Sequence, residues 1–99
     1  MNTKFKMWSL FPFIARDIAV WVPEGVSSAE VLEIIKENAG KLVIRGPELF
    51  DEFKKNGKIS YAFRLVFQSF ERTLTDEEIN VIMTKITNKI KEKNGWQVR

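Results

Sequence analysis

The sequence predicts an α+β domain of order β-α-β-β-α-β, a four-stranded antiparallel sheet with two helices on one face. Three observations carry that expectation. Two Ser/Thr-x-x-Glu capping boxes each lead an apolar stripe of helical spacing. An Asn-Gly pair separates two extended runs, the strongest short hairpin signal. Alternating apolar runs stand before the first helix and after the second.

The first strand is "RDIAVWVP", which puts Ile18, Val20 and Val22 on one face and Ala19 and Trp21 on the other before ending at Pro23. "SSAE" then caps a helix, with Ser27 placed to accept the Glu30 amide and with Leu32, Ile35 and Ala39 recurring up to Gly40. "KLVIRGPELFDEFK" is extended, and Gly46-Pro47 predicts a bulge or an edge position because proline removes a ladder donor. After Asn56-Gly57, "ISYAFRLVFQ" is the longest strand. "TDEE" at 75–78 caps the second helix, whose stripe is Ile79, Ile82, Met83, Ile86 and Ile90, and Asn94-Gly95 ends it. "WQVR" closes the chain as a short strand. This order is the split βαβ, or ferredoxin-like, arrangement.

The hairpin predicts which sheet face stays open. With Asn56 and Gly57 as the two turn residues, Lys55 pairs with Lys58, Phe53 with Ser60, Asp51 with Ala62 and Leu49 with Arg64. The other face carries Phe50, Tyr61, Phe63, Leu65 and Phe67, the more apolar set, and is expected against the helices. Asp51, Phe53, Ser60 and Arg64 then look outward, with Lys54, Lys55 and Lys58 at the hairpin tip. That composition suits single-stranded RNA: a ring stacks a base, Asp and Ser meet polar edges, and cations hold phosphate. Pattern alone favours the other reading, a half-covered strand whose lysines protect an edge from sheet-to-sheet pairing.

Composition bounds the chemistry. A chain of 99 residues with 44% hydrophobic content makes one domain, read as residues 1–99 with 1–13 as a lead-in. Sixteen basic against 13 acidic residues give a net charge of +3, a mild bias that fits a nucleic-acid partner without requiring one. With no Cys and no His, disulfides, zinc fingers, thiol chemistry and the commonest general base are excluded, so no catalytic or metal-ligating residue is assigned. "MNTKFKMWSLFPFIA" superficially opens like a secretory signal, but Pro12 interrupts its apolar run and a strand follows directly, so it reads as part of the fold. No run reaches the ~18 apolar residues of a membrane span, and the cytoplasm is the expected compartment.

Three segments resemble one family. "FPFIARDIAVWV", "ELFDEF" and "SYAFRLVFQSFERTLTDEE" are similar to the opening, the second strand and the core motif of the ferredoxin-fold anticodon-binding domain that ends the bacterial phenylalanyl-tRNA synthetase beta subunit, and "GWQVR" is similar to that subunit's end. The resemblance spans roughly residues 9 to 99 and implies a noncatalytic module that docks on the anticodon stem-loop of phenylalanine tRNA. It also implies a fragment of a longer subunit, whose partners are the rest of the beta subunit and an alpha subunit. ATP and magnesium belong to that parent enzyme, and no cofactor is expected in this domain. By motif position, the residues implied to contact the first anticodon base are Phe53, Asp51 and Ser60, the same residues the hairpin register turns outward. Three features depart from the family pattern: Phe53 replaces a frequent Tyr, the hairpin is a few residues short, and Phe70 replaces a usual proline.

The remaining signals read as structural. Asp76 and Glu77 complement the positive N-terminus of the second helix and would repel phosphate. Arg16-Asp17 reads as an ion pair or cap, Arg72 is open between RNA and a carboxylate, and Trp8, Trp21 and Trp96 read as core or rim. Two other functions stay open: a small-molecule regulatory domain that binds an amino acid, and a purely structural domain of a larger subunit. An acylphosphatase-like enzyme of the same strand order is disfavoured, since "ARDIAV" followed by "PEGVSS" lacks a glycine-rich phosphate cradle.

Overall fold

A computed structural model describes residues 12–69 and 71–99. Its elements are β1 (Ile14–Pro23), α1 (Ser28–Ala39), β2 (Val43–Lys55), β3 (Lys58–Phe67), α2 (Asp76–Lys91) and β4 (Gln97–Val98). The strands form one antiparallel sheet in the order β2-β3-β1-β4. This is the predicted α+β, ferredoxin-like architecture. Trp8, Phe70 and residues 1–11 of the lead-in lie outside the described residues.

Both helices start where their caps dictate. The Ser27 hydroxyl accepts from the Glu30 amide at 3.4 Å, and the Glu30 carboxylate accepts from the Ser27 amide at 2.9 Å. Thr75 and Glu78 make the same reciprocal pair at 3.2 and 2.9 Å. Each box satisfies two amides that the first helical turn leaves without partners. Val31, Ile35 and Ala39 of α1 and Ile79, Ile86 and Ile90 of α2 are buried against Ile18, Val20 and Val22 of β1 and Tyr61, Phe63, Leu65 and Phe67 of β3. Burying each large aliphatic or phenyl group contributes about 1.5–3 kcal/mol. The expected stripe is shifted in one place: Val31, not Leu32, is the fully buried member of the first turn. Tyr61 seals the core's edge, its hydroxyl donating to the Val26 carbonyl at 2.8 Å. Burial pushes its pKa up.

The turn of the β2–β3 hairpin has positive φ at both central residues, 51° at Asn56 and 77° at Gly57, as a type I′ turn requires. Register follows the expected count from Lys55↔Lys58 through Phe53↔Ser60 to Asp51↔Ala62. There it departs. Phe50 is passed over, so Leu49 stands opposite Phe63 rather than Arg64. The extra residue reverses the expected orientation of Phe50, which is 47% exposed with the Arg64 guanidinium 4.8 Å from its ring centre.

β2 is an edge strand, which accommodates Pro47, and its register shifts on both sides of the cis Gly46-Pro47 bond. Gly46 is held at φ 87°, and a Cβ there would run into the carbonyl oxygen of Arg64. Only glycine meets both conditions.

Candidate nucleic-acid interface

The helices cover one side of the sheet, and the strand pairings arrange the other as three rows. At the hairpin end, Phe53, Ser60, Trp21 and Gln97 run from β2 to β4. Asp51, Ala62 and Ala19 form the middle row, completed by Arg99, whose amide donates to the Ala19 carbonyl at 2.8 Å. Glu48, Arg64 and Asp17 form the far row. The two alanines make a low floor between an aromatic row and a charged one.

Phe53 is 51% exposed and meets Trp21 edge-on, with ring centres 6.1 Å apart and planes at 65°. This geometry aligns the ring quadrupoles favourably and leaves about half of Phe53 open to solvent. Asp51 is exposed one row away. Beyond Phe53, an open cleft of about 250 Å³ is lined by Trp21, Lys55, Asn56, Lys58 and Gln97. Two lysines beside an aromatic surface place positive charge where a backbone phosphate would follow a stacked base.

Not every expected site residue stands free on this surface. Ser60 faces the open side but is 2% exposed, and its hydroxyl accepts from Arg99 Nη1 at 3.1 Å. Arg64 donates to both Asp17 oxygens, at 2.7 and 3.0 Å, and this pair holds the Asp17 carboxyl below its ordinary pKa. Lys54 is paired with Ile59, so strand alternation turns it toward the helix side, away from Phe53.

Arg16, expected in an ion pair or cap, and Arg72, left open between RNA and a carboxylate, both pair with carboxylates. Arg16 bridges to Asp76 at 3.2 Å, tying β1 to the start of α2. Arg72 donates to Glu78 at 2.7 Å, which with the Thr75 backbone lowers the Glu78 pKa to about 2.

Four residues of this surface, Trp21, Phe50, Gln97 and Arg99, stand outside the set expected from the sequence. Trp21 was legible, because alternation with Ile18, Val20 and Val22 already turned it outward. Gln97 and Arg99 reach the surface only through the pairing of β4 with β1, and Phe50 only through the bulge.

The architecture and this surface define a class: a ferredoxin-like open-faced sandwich presenting an aromatic and basic sheet. Within that class the chain matches the ferredoxin-fold anticodon binding domain over residues 9–99, and it belongs to that family. It is 41% identical to a phenylalanine–tRNA ligase beta subunit of Corynebacterium efficiens over 99% of this chain and 12% of that protein. Identity to the phenylalanine–tRNA ligase beta subunit of Trichormus variabilis is 38% over 96% of the chain and 12% of that protein. The chloroplastic/mitochondrial phenylalanine–tRNA ligase of Arabidopsis thaliana is 35% identical across the whole chain, which spans 23% of that enzyme. The chain thus spans between 12% and 23% of the length of these relatives.

Proposed function

We propose that the open sheet binds the anticodon stem-loop of phenylalanine tRNA, as the noncatalytic anticodon-binding module of a phenylalanine–tRNA ligase. The observation that carries this reading is the half-exposed Phe53, oriented by Trp21 and flanked by Asp51 and the lysine-lined cleft. A loop base stacks on Phe53, Asp51 accepts from a base N–H, and Lys55 and Lys58 neutralise adjacent phosphates. Stacking supplies affinity for any base, so selectivity comes from the polar groups around it.

Aminoacylation, with its ATP and magnesium, is the work of the rest of the ligase, in which an alpha subunit and the remainder of the beta subunit are the protein partners. No helix among the described residues is long and apolar enough to cross a membrane. We place the protein where tRNA is charged; the expected cytoplasm is one such compartment, and organelle-named relatives such as the yeast mitochondrial ligase occupy others.

Fluorescence anisotropy with a labelled anticodon stem-loop of phenylalanine tRNA, beside a loop of scrambled anticodon, tests the reading. The expected result is saturable binding that weakens for the scrambled loop and with added salt. Equal affinity for both loops would reject anticodon recognition.

A further inference from the structure

The chain has five arginines, and four of them are already neutralised: Arg16 by Asp76, Arg45 by Glu48, Arg64 by Asp17 and Arg72 by Glu78. Among the described residues, Arg99 alone of the five has no carboxylate partner. It is nonetheless firmly placed. Its amide is bonded to Ala19, its Nη1 donates to Ser60 Oγ at 3.1 Å, and its guanidinium lies 5.6 Å from the Trp21 ring centre. A hydroxyl and an aromatic face orient a guanidinium without cancelling its charge.

We infer, resting on the anticodon-binding reading, that Arg99 is the arginine through which the open face holds RNA, taking two adjacent acceptor oxygens or nitrogens with its fork. Ser60 and Trp21 are its positioning residues. Ser60 is 2% exposed and its hydroxyl is engaged by Arg99, so an incoming nucleotide meets the guanidinium before it meets the serine. Arg64, whose fork is occupied by Asp17, is the weaker candidate on the same surface. Two parts of RNA present the required paired acceptors: the O6/N7 edge of a guanine and two oxygens of a phosphate.

The test measures stem-loop affinity for the 99-residue chain and its Arg99→Gln, Arg99→Lys, Ser60→Ala and Ser60→Ala/Arg99→Gln variants, each at several salt concentrations, with thermal melts to check folding. Loss of the forked contact should weaken binding roughly 5- to 150-fold in Arg99→Gln, with most of the loss kept in Arg99→Lys because an ammonium lacks the fork. Ser60→Ala should cost about 2- to 10-fold through its single hydrogen bond. The double variant should bind no worse than Arg99→Gln alone, since Ser60 acts through Arg99. A loss equal for all loop sequences, with the salt slope reduced by about 0.7, identifies phosphate; a loss confined to loops with a guanine identifies the base edge. Either supports the inference. It is overturned if folded Arg99→Gln binds like the unaltered chain, or if Ser60→Ala still weakens binding in the Arg99→Gln background. If the unaltered chain fails to bind the stem-loop at all, the anticodon reading itself fails before the variants are compared.

Discussion

Phe53→Ala separates the contribution of the exposed ring to folding from its contribution to RNA. Phe53 is 51% exposed, so folding removes about half its surface from water, and half of the 1.5–3 kcal/mol for a fully buried phenyl is about 1 kcal/mol. Its edge-on contact with Trp21 adds about 0.5–1.5 kcal/mol. The expected destabilisation is therefore about 1.5–3 kcal/mol, a fall in Tm of roughly 6–20 °C for a domain of this size. Against RNA the loss is that of one stacked base, about 1–3 kcal/mol, or roughly 5- to 150-fold in Kd at a temperature where the variant is folded. Phe53→Tyr keeps the ring and should stay close to the parent in both. A thermal melt and an anisotropy titration on the same preparations read the two quantities. Phe53→Ala that melts lower yet binds the stem-loop within twofold of the parent would refute the stacking role and leave Phe53 as packing alone.

Other perturbations probe the frame that holds the surface. Gly46→Ala combines a positive-φ penalty of about 1–3 kcal/mol with a clash against the Arg64 carbonyl, so chemical denaturation should show at least that loss; an unchanged midpoint would contradict the account of this bulge. Glu78 titrates at about 2 in the folded chain against an ordinary 4.5, held down first by Arg72. Because its folded pKa is the lower one, its stabilisation is complete above about pH 4.5 and is lost as pH falls through about 2. Tm of the parent should thus fall more steeply between pH 5 and about 2 than that of Glu78→Gln, which keeps a capping-box side chain; parallel curves would remove Glu78 as the cause.

How far the sequence foretold this surface depends on how local each signal is. The capping boxes and the Asn-Gly turn are decided within four residues, and all three stand where their side chains and φ preferences put them. Register counted from the turn held as far as Asp51 because nothing intervenes. It failed at Phe50, where the strand takes in an extra residue without any glycine or proline to mark it, and where the Arg64 guanidinium rather than the core receives the ring. The outward direction of Ser60 was legible, but its burial was not. That burial depends on a two-residue strand delivering Arg99 from far along the chain, a contact no local pattern encodes. Arg64 illustrates the same limit: it stands on the expected face, yet its charge is committed to Asp17, 47 residues away.

On the proposed function, RNA binds the open sheet and not the helices. Amide and side-chain chemical shifts of labelled protein, followed during titration with the anticodon stem-loop of phenylalanine tRNA, test it directly. Perturbations are expected to centre on Asp51, Phe53, Trp21, Lys55, Lys58 and Arg99, with α1 and α2 unaffected and the pattern reduced for a scrambled loop. Shifts centred on the exposed sides of the helices, with Phe53 and Trp21 unmoved at saturating RNA, would contradict it.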